Sequence, residues 1–240
     1  IGRCASGGVG RDMKKLLAIV AACLLVAACT TTNTKIMANP VKPAPGARIL
    51  LIEPDVQLAV LTAAGLHEAR ADWSEQGKAL MTGEIERQMK ARAHSYQMLD
   101  PMTAMDGRAG QLLRLNEAVV RSIQMFNYGY ISLPTKKGAF DWTLGEGAQV
   151  LGETYQADYA LFLIGRGDYA SGARVATAVG LAVLGVGVPI GGQQCMASLV
   201  DLKTGRVVWA NVAVTGPNDD MRKPQGAARL VEAVLKDAPL

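Results

Sequence analysis

Residues 194–215, QCMASLVDLKTGRVVWANVAVT, decide the fold. Two apolar runs flank Lys203-Thr204-Gly205, a turn whose glycine is free to take a positive φ. The pattern predicts a β-hairpin with strands over 194–202 and 206–215. In the second strand Val208, Ala210, Val212 and Val214 alternate with Val207, Trp209, Asn211 and Ala213. Neither set is strongly polar, so both faces of this strand are expected to be covered.

Upstream of the hairpin, 159–164 (YALFLI) is a continuous apolar run, the pattern of a central strand buried on both faces. Arg166-Gly167-Asp168 after it reads as a turn. Residues 48–53 (RILLIE) predict a first strand stopped by Pro54, and 56–62 a second, edge-like strand. The clearest helix covers 73–92: Met81, Ile85 and Met89 recur at helical spacing near Trp73 and Leu80, with Glu84, Arg87 and Lys90 on other faces. A short strand is expected over 95–99, ended by Asp100-Pro101. Residues 106–126 predict a helix through Leu112, Leu115, Val119 and Ile123, with Asp106 as N-cap. Residues 127–140 predict a loop, 142–155 a third helix despite three glycines, and 225–236 a closing helix through Ala228, Val231 and Leu235. Mixed helices and strands with one hairpin give a single α/β sandwich over 48–240, with three or more helices, a mixed sheet and a C-terminal hairpin.

The address is written at the other end. Lys14 and Lys15 precede thirteen uncharged apolar residues, 16–28. As a helix these reach roughly 20 Å at about 1.5 Å per residue, short of the about 30 Å of a hydrocarbon core. A charged start, a short apolar run and small residues at its end describe a secretory signal over 13–28. Leu25-Val26-Ala27-Ala28-Cys29 resembles the lipobox of bacterial lipoproteins. That resemblance implies a diacylglycerol on the Cys29 thiol, cleavage between Ala28 and Cys29, and further acylation, palmitate included. Thr30 stands where inner-membrane lipoproteins often carry Asp, which implies the outer membrane with the domain facing the periplasm. Residues 1–12 precede a good start at Met13 and read as an over-extended frame. Residues 29–47 carry the lipid and then Thr, Asn and Pro without apolar period, which reads as a flexible tether.

Half of the residues are hydrophobic, enough for a sizeable core. Of 25 basic and 21 acidic residues, Arg3, Arg11, Lys14, Lys15 and Asp12 precede Cys29, leaving 21 and 20. A near-neutral domain lacks the basic footprint of nucleic-acid binding. Cys4 and Cys23 go with the leader and Cys29 with its lipid, so Cys195 stands alone, without a disulfide, and reads as a small core residue.

No residue set points to catalysis, a cofactor or a metal. His67-Glu68-Ala69-Arg70-Ala71 begins like a zinc-protease helix, but Ala71 occupies the second ligand position. His67, His94 and one cysteine do not make a structural zinc set. Ser74-Glu75 and Ser171-Gly172 lack a nucleophile-elbow pattern. Methionines 81, 89, 98, 102, 105 and 125 read as a forgiving core, with a methionine-lined groove as the other reading. Residues 175–192, VATAVGLAVLGVGVPIGG, are uncharged and glycine-rich, with no Gly-Lys-Ser/Thr of a phosphate loop. Three readings stand: a buried helix in close backbone contact, a subunit or partner interface, or a membrane-inserting segment.

From Asp158 onward, DYALFLIGRGDYASG followed by ASLVDLKTGRVVWAN is similar to uncharacterised proteobacterial envelope lipoproteins. The D-x-x-T-G-x-V-x-W pattern of Asp201 to Trp209 also resembles the curli-secretion (CsgG-type) and penicillin-binding-protein-activator lipoproteins, and the amino-terminal domain of the Tol-system translocation protein. The resemblance implies a non-enzymatic module that binds other envelope proteins in a larger complex. The alternative is a homo-oligomeric, ring-forming subunit of a secretion or transport channel. The two long amphipathic hairpins of curli-type pores have no counterpart here.

Overall fold

The computed structural model describes residues 31–36, 42–92, 94–129, 131–215 and 219–240. The expected signal, with Ala28 and Cys29, lies outside the described residues. In chain order the strands are β1 (Thr31–Ile36), β2 (Arg48–Ile52), β3 (Asp55–Leu61), β4 (His67–Ala69), β5 (Ser95–Leu99), β6 (Tyr159–Ala170), β7 (Gly191–Asp201) and β8 (Val207–Thr215). The helices are α1 (Ala71–Ala91), α2 (Gly107–Ile123), α3 (Gln149–Tyr155), α4 (Gly172–Ala182) and α5 (Pro224–Val234).

The strands form one mixed sheet in the order β1-β8-β7-β6-β2-β5, with β3 also on β6 and β4 beyond it. The β7–β8 hairpin is the expected one, and Gly205 takes φ +71° in its turn. A Cβ there would fall 2.0 Å from the Gly145 carbonyl oxygen, so the position is restricted to glycine on two counts. A register shift between Leu199 and Val200 leaves Val208 of β8 as the extra residue of a bulge.

β6 carries the sheet. Its first half pairs with β2 and its second half with β3, both parallel, while β7 runs antiparallel along its other edge. Ile49 lies opposite Tyr159 and Asp55 opposite Ile164, so the β2–β3 line holds one more residue than β6 across Glu53-Pro54. Pro54 has no N–H to give to a ladder, and it divides one long strand into two. β5 follows only the first part; its partner Ile52 faces Leu99, and Glu53 N–H still reaches the Leu99 carbonyl at 2.9 Å. Beyond that point β5 turns away at Asp100-Pro101, and the sheet opens into a crevice.

Helices cover both faces. Met81, Ile85 and Met89 of α1 pack with Leu230, Val231 and Val234 of α5 on one side. Leu112 and Ile123 of α2 and Leu151 of α3 pack on the other. Each such side chain contributes about 1.5–3 kcal/mol by leaving water. Asn211, fully buried on β8, donates to the carbonyls of Val234 at 2.8 Å and Ala233 at 3.2 Å, closing the last turn of α5.

Three local expectations are corrected, and one is met in part. Arg166-Gly167-Asp168 is not a turn but part of β6. The strand continues past its apolar run because Gly165 and Gly167 leave room for Val56 and Leu58, whose methyls would sit 3.3 and 3.0 Å from an added Cβ. The helix expected over 142–155 is confined to Gln149–Tyr155, after a short 3-10 turn at Glu146–Ala148; Gly145 at φ +75° breaks the run before it. Asp106 does stand at the N-cap of α2, but its side chain makes no capping bond. Thr31–Ile36, read as tether, lies antiparallel to β8 as β1, occupying an edge that would otherwise present unpaired backbone.

Candidate functional site

α4 is the surface that the rest of the fold does not use. Its start is well built. Ser171 Oγ accepts from Arg174 N–H at 3.1 Å as an N-cap. Arg174 Nε donates to the Pro189 carbonyl at 3.1 Å, and Nη1 donates to that of Ala63 at 3.3 Å. These bonds hold both ends of the 175–190 excursion against the β3–β4 turn. The excursion itself points outward: no residue of α4 is buried. Val179 is 63% exposed, Val183 84% and Leu184 75%, with Val175, Val186 and Ile190 also open. No charge falls between Arg174 and Gln193 to break up this aliphatic face.

This corrects the reading of 175–192 as an internally packed helix. An added Cβ at Gly180, Gly185 or Gly187 would meet nothing within 4 Å, so the glycines of α4 and the segment after it serve no close approach within the described chain. Gly191, where β7 begins, does, since a Cβ there would fall 2.1 Å from the Asp168 carbonyl oxygen. Clustered exposed aliphatics of this kind mark contact surfaces on folded domains. Among the described residues no helix is long and apolar enough to cross a membrane.

Beneath α4 lies a polar floor. A basin of about 550 Å³ is lined by His67, Arg166, Asp168, Arg174 and Gln194. His67 Nδ1 and Asp168 Oδ1 share a hydrogen bond of 2.8 Å on exposed β-strand positions, so His67 belongs to β4 and not to a metal-binding helix. A second hollow of about 230 Å³, under Val175 and Ile190, is lined by Tyr169, Asp220 and Arg222. There the Arg222 guanidinium carbon lies 3.7 Å from the Tyr169 ring centre and 4.2 Å from that of Trp73. It donates to both Asp220 carboxylate oxygens at 2.9 Å. Burial drives the Tyr169 phenol well above its ordinary range, with the Asp220 charge adding to it.

Gln193 locks this floor to the sheet. It is buried at the start of β7; its oxygen accepts from Tyr169 O–H at 2.7 Å and Met221 N–H at 3.0 Å, and its nitrogen donates to the Asp219 carbonyl. The sequence reading passed over it, because one glutamine in an apolar strand carries no pattern.

The Asp220 pair gives the fold an acid limit. Burial works to raise this carboxyl, but bonds from the Arg222 guanidinium and backbone N–H outweigh it and hold the group below its usual value. A carboxyl depressed in the folded state adds stability that is fully present above the ordinary value of about 3.9 and lost as pH falls through the folded value. Urea midpoints taken from pH 6 downward should therefore fall steeply below about pH 4. Asp220→Asn should flatten that descent, and an unchanged slope would contradict the assignment.

The other candidates are placed plainly. Cys195 is buried and its thiol is pushed up to about 12 by burial, so it is a core residue without nucleophilic character. Met81 and Met89 are core, whereas Met102 and Met105 line the crevice where β5 leaves the sheet. Among the described residues no group of three or more metal-ligating side chains converges.

No protein-family model matches the chain, and no curated protein matches it. Among solved structures it is similar to the PelC dodecamer from Paraburkholderia phytofirmans, at 14% identity and a TM-score of 0.38, covering 88% of this chain and 98% of that one. It is also similar to the LpoB C-terminal domain from Salmonella enterica, at 12% identity and a TM-score of 0.26, covering 75% and 88%. With identities and TM-scores this low, nothing about the role of this chain follows from the likeness.

Proposed function

We propose that this chain is a non-enzymatic, lipid-anchored envelope lipoprotein that acts as a protein-binding accessory or assembly module. The observation that carries the reading is the aliphatic face of α4 and the segment after it, exposed and uncharged from Val175 to Ile190. The lipobox-like Leu25-Val26-Ala27-Ala28-Cys29 supports the anchor, an outer-membrane location and a domain facing the periplasm. Acyl chains on Cys29 contribute about 0.8 kcal/mol per buried CH₂, so several chains hold a protein at a membrane durably. The domain works by contact: a partner covers α4, and the apolar centre of such a contact dominates its affinity.

The test places charge on that face. Val179→Glu with Val183→Glu alters two exposed positions, so folding should be preserved, with stability changed by less than about 0.5 kcal/mol per site. Co-purification of partners from cross-linked envelopes should fall at least tenfold. Equal recovery by a folded double variant would overturn the reading.

A second reading, a ring-forming subunit of a secretion or transport channel, is favoured by the same face, because an uncharged aliphatic helix can pack on a second copy of itself. Light scattering of the detergent-extracted chain separates the two. A large ring dispersed by the double variant supports self-assembly, and a single-copy species removes it.

A further inference from the structure

The crevice opened by Pro54 is a second site, independent of α4. It lies past the carboxyl ends of the parallel strands β2 and β5, where β5 turns away and α2 passes over the gap. Open α/β sheets bind ligands in this position, outside the carboxyl ends of strands that part company. The cavity holds about 390 Å³, in the size range of small-molecule pockets.

Its walls are mostly apolar. Ile52, Phe162 and Leu113 line it, with Met102 and Met105 at its side. Met102 is 74% exposed, an open position for an unbranched thioether that adapts readily to the shape of a guest. Among the charged residues around it, Arg114 Nη1 donates to the Met105 carbonyl at 3.3 Å, and the carboxylates are already matched. Glu53 holds Lys78 at 2.6 Å, and Asp55 holds Arg166 at 2.5 Å. Glu117 holds Arg121 at 2.8 Å, and the Asp100 carboxylate accepts from Met102 N–H at 2.9 Å. A cationic guest would have to displace one of these partners, and an anionic one would face the carboxylates of Glu53, Asp55, Asp100 and Glu117.

One polar side chain stands out. Asn116, on the inner face of α2, lines the cavity and is only 2% exposed. Its side-chain oxygen is buried with no hydrogen-bond partner among the described residues. A buried carbonyl left unmatched is costly, and such a group on a residue that lines a cavity is a place for a donor.

We propose that this crevice binds a small, uncharged amphipathic molecule of the carboxamide class: an apolar body against the methionines and Phe162, and an N–H donated to Asn116 Oδ1. A carboxamide suits an asparagine side chain well, because each offers one donor group and one acceptor. The site shares no lining residue with the exposed face of α4, so its failure and that of the partner-binding reading are distinguishable.

The test uses the full chain in nanodiscs with labelled methionine methyl groups, and benzamide as probe. Titration should shift the Met102 and Met105 methyl signals in a saturable way and leave those of Met81 and Met89 in place. N,N-dimethylbenzamide, which has the same ring but no N–H, should bind at least tenfold more weakly, as should benzoate. Asn116→Leu, which removes the unmatched acceptor while keeping its volume, should remain folded and lose benzamide at least tenfold. The comparison of the two amides on the unaltered chain decides the matter even if that variant does not fold. No saturable shift with benzamide, or equal binding of the dimethyl amide, would overturn the proposal.

Discussion

Gln193→Leu should lower the unfolding free energy by about 2–4 kcal/mol, with a fall in Tm on the order of 10 °C. Leucine fills nearly the same space, so packing is not what changes. What goes is the group that binds Tyr169 O–H, Met221 N–H and the Asp219 carbonyl at once. Each buried polar group that loses its partner costs about 1–3 kcal/mol, while a neutral hydrogen bond kept in water costs almost nothing to lose. The damage should spread beyond β7. Met221 belongs to the core shared by α1 and α5, and Arg222, next to it, lies over the rings of Trp73 and Tyr169, which meet edge to face. Amide exchange in α5 should therefore quicken together with global unfolding. Denaturant curves of the two proteins check this, and a loss below about 0.5 kcal/mol would show that the lock is ornamental to stability.

The second large effect concerns Cys29. Cys29→Ser should reduce palmitate incorporation to background and block cleavage after Ala28, so that the leader of 13–28 stays attached. A hydroxyl is a far weaker nucleophile than a thiolate and does not accept the diacylglycerol by the same route. Intact-mass measurement of membrane-extracted protein reads both changes. Fatty acid on the serine variant, or a mature chain that begins elsewhere, would remove the anchor and the location that rests on it.

Much of the architecture was legible in local patterns, because the core elements bury themselves by periodicity. Met81, Ile85 and Met89 marked α1, and the apolar run from Tyr159 marked the strand at the centre of the sheet. Two of the misreadings share one cause: glycine and small apolar residues say little about what lies beside them. Gly165 and Gly167 looked like the end of β6 because their reason, the methyls of Val56 and Leu58, comes from a strand a hundred residues earlier. Residues 175–192 left core, interface and membrane insertion open because their composition suits all three, and no residue of α4 is buried. Interior and interface are written in the same alphabet, and only placement separates them.

The crevice was legible in one residue and hidden in the others. Pro54 was read as a strand stop, but the one-residue mismatch it introduces depends on β6, which sequence cannot align with it. Asn116 gave no signal at all among the helical positions of α2, and its isolation is a property of the assembled layers. The methionine-lined groove, kept as the other reading of Met102 and Met105, is where those residues lie.

The central claim is that the exposed face of α4 is covered by another protein in the envelope. A photo-activatable side chain placed at Val183, in cells that make the chain at native abundance, tests it most directly. The account predicts a discrete cross-linked species of defined mass at Val183, and none from the same probe at Glu153 on α3. A folded, membrane-retained protein that gives no adduct from Val183, Val179 or Leu184 would contradict it.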